Sequence, residues 1–465
     1  MKKLFSAILL LIAVSPAAFS AAYDAQILSY AIPHYAAQGS TRKFHVMVLN
    51  TGTNTWTQAE QYLLGCDTGN GQGTSDPFGV TRVGLPDQGQ VDWQITPTST
   101  HIFTFDRTFS PAAGTYTTYW RMIREHVTWF GNVISQQVQV VNAAGGNWDV
   151  YDDFPTSGST AVSGPWSFGS RTGSTFTVFN AYDSGATGCY EWHKSGNWDD
   201  YGYVGRRTDP SWTGQFNQLR LPFMVYLGST FGSGQSDIRF TCPYKATYYI
   251  EYMAQPVGLN ETDTWIYFYH NNAEVKKNQL TSSMFWDGRL PAETSANTLK
   301  MYFTRDANAG DYFDLWQDTP TAVSSCTVIP MYRILCVNPK CVVSGNVKSS
   351  YGNSNINGAE IYDGSTRVAA TNSSGNFSFD ANLGSSAKTY TVKYTGHTDG
   401  SFTFTPNAAS RSANVTLTAQ CVVSGTITST YPSGGAVSGA QIKNGSTVLA
   451  TSDSSGNYSF TTTRS

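Results

Sequence analysis

Between Cys189 and Tyr203 the chain places five aromatic rings, Tyr190, Trp192, Trp198, Tyr201 and Tyr203, among Glu191, His193, Asp199 and Asp200. Rings beside carboxylates and an imidazole suit sugar recognition: flat rings lie on the apolar face of a pyranose while polar groups take its hydroxyls. Successive strand residues point to opposite faces, so a run this dense cannot send every ring inward. The candidate ligand-binding set is therefore Tyr190, Trp192, His193, Trp198, Asp199, Tyr201 and Tyr203. The competing reading is a tyrosine-rich loop that covers one end of a sandwich. Catalysis is a third reading. Glycoside cleavage needs two carboxylates facing one cleft, which Glu191 with Asp199 or Asp200 would have to supply, and a lyase would take its base from His193 or Tyr201. All these groups sit on one short stretch, whereas catalytic pairs converge from separate elements. No Gly-x-Ser-x-Gly, His-Glu-x-x-His or phosphate-loop motif occurs. The expectation is a binding stretch with no catalytic residue and no cofactor.

The elements that must position this stretch are strands. Residues 237–241, 246–252, 265–269, 299–303 and 310–315 read as strands rich in aromatic and β-branched residues, with a turn at Asn271-Asn272. The strand order, the Ala246-Thr247-Tyr248 entry and the Ala309-Gly310-Asp311 turn resemble an extracellular jelly-roll of the carbohydrate-binding-module type, spanning 147–337. Asp149, Asp152 and Asp153 near one end, with Asp314 and Asp318 near the other, are the carboxylates that a structural Ca²⁺ would use. Carboxylate clusters of this kind are more often solvated, and no metal is expected.

Composition agrees with exported β-sandwiches. Of 465 residues only 13% are charged while 14% are aromatic, a balance of weakly charged, polar sheet faces. A net charge of −3 offers no field to attract nucleic acid. Lys2 and Lys3 precede an apolar run from Leu4 to Val14 and a small-residue exit at Ala18-Phe19-Ser20, so residues 1–20 read as a secretory signal peptide. The run is too short to span a bilayer, and no membrane span is expected. The expected location is secreted and extracellular. Seven cysteines in an exported chain suggest disulfides and leave one over. Cys189 with Cys242, and Cys326 with Cys336, are the preferred pairs because each belongs to one stretch, and Cys66 is the expected loner.

Residues 21–143 form a first module. Phe44–Leu49 and Ile102–Phe105 are strands, and Gly114–Gly131 is a hairpin in which Tyr116, Thr118 and Trp120 share one face. Asn50-Thr51-Gly52 with Trp56, Leu85-Pro86, Pro111 with Gly114-Thr115-Tyr116, Trp120-Arg121-Met122 and Phe130-Gly131 resemble the four-tryptophan (FW) immunoglobulin-like domain. That resemblance implies protein interaction without a catalytic group. Val91-Asp92-Trp93 departs from its pattern and puts the fourth tryptophan in doubt. Trp56, Trp120 and Trp129 are expected to be core. His34, His45, His101 and His126 fall on separate elements with no metal-ligand spacing.

After the small-residue linker 142–146 and the second module, the chain repeats itself. Cys341 and Cys421 open two copies, one domain length apart, that share Ser-Gly after the first valines, an Asn-Gly or Asp-Gly turn, and Ser-Gly-Asn before Phe377-Ser378-Phe379 or Tyr458-Ser459-Phe460. The pattern resembles the carboxypeptidase regulatory-like domain, transthyretin-like and of the carbohydrate-binding-like fold, which implies a spacer beside functional domains. The first copy spans 341–420. The second, 421–465, lacks the strands that follow Phe379 in the first, at 389–394, 402–404 and 415–418. It is therefore expected not to form a complete domain, either because the natural protein is longer or because a partner strand completes it.

The expected fold is all-β, a string of Ig-like, jelly-roll-like and transthyretin-like sandwiches with no helix beyond a turn or two after residue 21. The expected function is non-catalytic binding or adhesion toward glycans or cell-surface proteins through 147–337. The alternatives are a structural surface-array protein, or an accessory part of an extracellular polysaccharide-degrading enzyme.

Overall fold

Alternation in the first module assigns its faces. Phe44, Val46 and Val48 point inward from Thr41–Asn50, and Trp120 and Met122 do so from Gly114–Arg124. Ala25–Ala31, Thr41–Asn50 and Thr100–Thr108 form one sheet. Tyr35–Ala37, Thr128–Val141, Gly114–Arg124, Tyr62–Gly65 and Arg82–Gly84 form the other, and one apolar core joins them. The computed structural model describes residues 21–79, 81–90, 93–155, 164–183, 189–193, 203–207, 224–229, 235–257, 264–280, 299–318 and 325–464. Among these residues every regular element is a strand.

Trp56 and Trp120 are fully buried, as expected. Trp129 departs from the expectation: it is half-buried, with the Arg82 guanidinium 4.6 Å above its ring. Phe130 is core, and Gly131 beside it has φ +76° with Ala25 O only 2.5 Å from where a Cβ would stand. Only glycine meets both conditions, which accounts for the Phe-Gly pair. Trp93 is half-buried.

The segment 142–146 does not hold the first two modules apart. The Gly145 N–H donates to Cys336 O at 3.2 Å, and Gly146–Asp149 adds a strand to the second module. Ala31 packs with Met253 and Met331, and Ala37 and Val141 pack with Leu335. The His34 N–H donates to both carboxylate oxygens of buried Glu251, at 2.9 and 3.1 Å. Glu251 lies opposite Arg333, whose Nε donates to Asp149 at 2.5 Å. His45 is buried near this junction, and burial holds its imidazole down to about 3, so it stays neutral at ordinary pH.

The second module is a pair of sheets around the largest core. One sheet runs Ala181–Asp183, Cys189–His193, Tyr203–Arg207, Met224–Ser229, Ser325–Ser349, Lys245–Val257, Leu299–Ala307. The other runs Thr175–Val178, Trp166–Thr172, Ser236–Thr241, Tyr312–Asp318, Thr264–His270, Ala273–Leu280. The strand Ser325–Ser349 is 25 residues long, about 80 Å at 3.3 Å per residue. It leaves the second module and pairs without a break with Asn376–Asn382 of the first repeat, so the junction at 337–341 lies inside one strand.

That strand corrects the preferred disulfides. Cys326 and Cys336 are ten positions apart on it, about 33 Å in extended chain, whereas a disulfide needs Cα atoms under about 7 Å apart. Cys242 is a free thiol in this structure, so the Cys189–Cys242 pair is not formed here either. Cys66 is free and buried, and burial pushes its thiol up to about 12. It is not alone, because Cys341 and Cys421 are free too.

The two repeat copies differ in what covers them. In the first, Val343, Val347, Ile361, Phe377 and Phe379 are buried beneath Tyr390, Val392, Val415 and Leu417. In the second, the matching Val423, Ile427, Ile442, Tyr458 and Phe460 are only half-buried and Val422 is 68% exposed. That copy consists of two separate two-stranded ribbons, Gln420–Thr426 with Asn457–Thr463 and Gln441–Asn444 with Thr447–Thr451. Two-stranded ribbons without a buried face are marginal in water. Amide exchange is therefore expected to be fast across 425–460 and slow across 342–418. Equal protection of both stretches in the monomeric chain would show that half the repeat folds alone.

Candidate functional site

The stretch singled out from the sequence divides into three groups. Trp192 is 1% exposed, and its ring meets Tyr182 edge-on at 5.4 Å within the core, so it offers no face to a ligand. His193 is buried as well. Trp198, Asp199, Asp200 and Tyr201 lie outside the described residues. Tyr190 and Tyr203 are described by backbone register alone, opposite Arg206 and His193. The physical reason for Trp192 is its place inside a sheet. A strand with neighbours on both edges and a core beneath must bury every second side chain, and burying the tryptophan removes the most apolar area.

The structure builds a different aromatic face, on the outside of the six-stranded sheet. In Thr264–His270, Ile266 and Phe268 are core, which turns Trp265, Tyr267 and Tyr269 outward. In Tyr312–Asp318, Phe313 and Leu315 are core, which turns Asp314, Trp316 and Asp318 outward. The register pairs Trp265 with Asp318, Tyr267 with Trp316 and Tyr269 with Asp314. Ring centroids follow: Tyr267 lies 4.8 Å from Trp316, 5.7 Å from Tyr269 and 6.4 Å from Trp265. Trp265, Tyr267 and Tyr269 are half-buried, while Trp316 is 7% exposed and its indole N–H has no hydrogen-bond partner among the described residues.

Charges frame these rings. Lys277, opposite Tyr267 on the edge strand, holds its ammonium 4.8 Å from the Trp265 ring and 5.5 Å from the Tyr267 ring. On the other flank the Arg171 guanidinium lies 4.3 Å from the Tyr269 ring and 5.6 Å from Trp316. Arg171 donates to Asp314, to Asn272 Oδ1 at 2.6 Å and to Gly173 O at 2.8 Å. Arg239 adds a bidentate pair to Asp314 at 2.7 and 2.8 Å. Asp237 is fully buried, and neither carboxylate oxygen finds a hydrogen-bond partner among the described residues; Arg171 Nη1 is 3.9 Å away. Burial first, and the nearby Asp314 second, push Asp237 well above the usual carboxylate range. Burial also raises Asp318, whose Oδ1 accepts from Gln235 Nε2 at 2.5 Å.

The carboxylates considered for Ca²⁺ are engaged elsewhere. Asp149 takes Arg333, Asp152 faces Arg42 Nη1 at 3.3 Å, and Asp153 accepts from Trp166 Nε1 at 2.9 Å. Asp314 and Asp318 belong to the aromatic face. No group of three or more metal-ligating side chains converges among the described residues.

The sequence carried a signal for the aromatic face. Trp265, Tyr267 and Tyr269 recur at every second position, opposite Ile266 and Phe268. Such a strand has large apolar side chains on both faces, so one face must lie outside the core or under a further layer.

No family model matches the chain, and no curated protein does. Among solved structures, a carbohydrate-binding module of the β-sandwich superfamily is similar at 8% identity and a TM-score of 0.23, over 68% of this chain and 99% of that one. A protein from a xyloglucan utilization locus in Bacteroides uniformis is similar at 12% identity and a TM-score of 0.22, over 68% and 74%. The CARDB domain of a Pyrococcus furiosus protein is similar at 16% identity and a TM-score of 0.19, over 26% and 95%. Likenesses of this size lend this chain neither ligand nor activity.

Proposed function

We propose that this chain is an exported, non-catalytic binding protein that recognises carbohydrate through its second module, with the C-terminal repeats as spacer. The observation that carries the reading is the outer face of the six-stranded sheet. Trp265, Tyr267, Tyr269 and Trp316 stand together there, flanked by Lys277, Gln235 and Asp318. Aromatic rings provide contact area at low conformational cost, and the charged and amide groups beside them supply directional bonds to hydroxyls. The arginine–aspartate network on the same face fixes Tyr269 before a ligand arrives, which lowers the ordering cost of binding.

The test is a panel of soluble glycans with the full chain, followed by Trp265→Ala and Tyr267→Ala. Each substitution is expected to weaken binding about tenfold or more, which is 1.4 kcal/mol, with melting unchanged. Trp198→Ala serves as the comparison. If it abolishes binding while the two face variants retain it, the ligand sits at 190–203. One feature favours a structural role in a surface array, the uninterrupted strand that couples the second module to the first repeat. A chain that binds no glycan on the panel would favour that reading.

A further inference from the structure

Cys242 directly follows the strand Ser236–Thr241 of one sheet, and Cys336 lies in the long strand of the other, directly opposite Tyr248. Both cysteines are buried, at 1% and 0% exposure, in the same core. The Tyr248 ring crosses between the sheets, 6.0 Å from Phe240 and 5.6 Å from Phe313. Its hydroxyl donates to Tyr244 O at 2.6 Å and accepts from the Tyr244 N–H at 3.2 Å, which anchors it at the sandwich corner. Tyr244 lies two residues beyond Cys242, so this anchor ties the turn that carries Cys242 to the residue directly opposite Cys336. Two buried thiols from opposite sheets thus flank one tyrosine in a single core.

We propose that Cys242 and Cys336 form a disulfide that staples the two sheets of the second module. The oxidant is a small disulfide of the glutathione class. One cysteine thiolate attacks it, forming a mixed disulfide and releasing one thiol; the second cysteine thiolate then attacks the mixed disulfide and releases the other. The two cysteines give up two protons and two electrons, the donor's S–S bond breaks into two thiols, and one S–S bond forms between Cys242 and Cys336. Burial raises both thiols, Cys336 to about 11, so neither is a ready nucleophile once the core has closed. The exchange therefore belongs to folding, before the sheets meet. The staple closes a long loop, 242 to 336, and loops of that length restrict the unfolded chain most.

The test is to unfold the full chain and refold it in a mixture of reduced and oxidised glutathione. Free thiols are then blocked under denaturing conditions, and the unreduced digest is mapped. The expected result is a linked peptide pair containing Cys242 and Cys336, with a melting temperature several degrees above that of the reduced chain. Cys242→Ser and Cys336→Ser are expected to lose that redox-dependent difference. Recovery of Cys242 and Cys336 both blocked, or of either joined to another cysteine, overturns the proposal. The peptide map needs only the unsubstituted chain, so a variant that fails to fold does not blunt it.

Discussion

Replacing Trp120 by alanine unfolds the first module, at a cost of about 3–5 kcal/mol. The ring is fully buried, 4.9 Å from the Phe105 ring, with the Arg107 guanidinium 4.9 Å from its centroid. Arg107 is itself buried and pairs through Nε with Asp76 at 3.1 Å, while Thr118 Oγ1 donates to the other Asp76 oxygen at 3.0 Å. Removing the indole opens a cavity beside this pair, and a void there deprives the guanidinium of its packing without giving it full hydration. The loss is a large share of the few kcal/mol that hold a small domain folded. Urea melts followed by tryptophan fluorescence, with dichroism of the isolated module, are the measurement. An unchanged midpoint with loss of some binding activity would make Trp120 a recognition residue rather than a core residue.

Arg171→Ala is expected to cost about 3 kcal/mol, the lower end for breaking a buried ion pair, because Arg239 still holds Asp314. The loss falls on Asp237, whose nearest cation disappears, on Asn272, and on Tyr269, whose ring loses its guanidinium. Binding through the aromatic face is expected to fall with stability. The companion Asp237→Asn separates the causes. Asp237 titrates higher in the fold than in the unfolded chain, where it stays near 3.8. Its contribution to stability is therefore fully present below the unfolded value and is lost as pH rises through the folded one. Asparagine has no charge to lose, so Asp237→Asn is expected to melt above the parent at pH 7 and together with it near pH 3. In the Arg171→Ala background the same substitution is expected to restore part of the loss at pH 7. A melting temperature for Arg171→Ala equal to the parent's at both pH values would overturn this account of the network.

Much of the architecture was local and so readable in order. The β-branched and aromatic runs Phe44–Leu49 and Trp265–Tyr269 and the alternation of Phe377–Phe379 named strands, because strand composition and facing are written in consecutive residues. The Asn-Gly, Asp-Gly and Ser-Gly turns named the repeats, because only certain residues accept a positive φ: Gly358, Gly364, Gly375 and their counterparts Gly439, Gly445 and Gly456 all adopt it. The repeat itself was equally local, and within it Val423, Ile442, Tyr458 and Phe460 are half-buried where their counterparts Val343, Ile361, Phe377 and Phe379 are core.

What the order of residues did not decide was which side of a strand meets the core. Trp192 and Trp265 both sit among alternating aromatics, yet one is buried against Tyr182 and the other turns outward beside Lys277. The difference lies in which sheet each strand joins and what stands behind it, and those partners are distant in sequence. The same holds for Arg171 with Asp314, whose strands both flank Ser236–Thr241, and for Cys242 and Cys336, which come from opposite sheets into one core. Alternation determined that each strand has two faces. Only the closing of one sheet over another, driven by burial of apolar area, chose the inner face and left Trp265, Tyr267 and Tyr269 half-buried on the other.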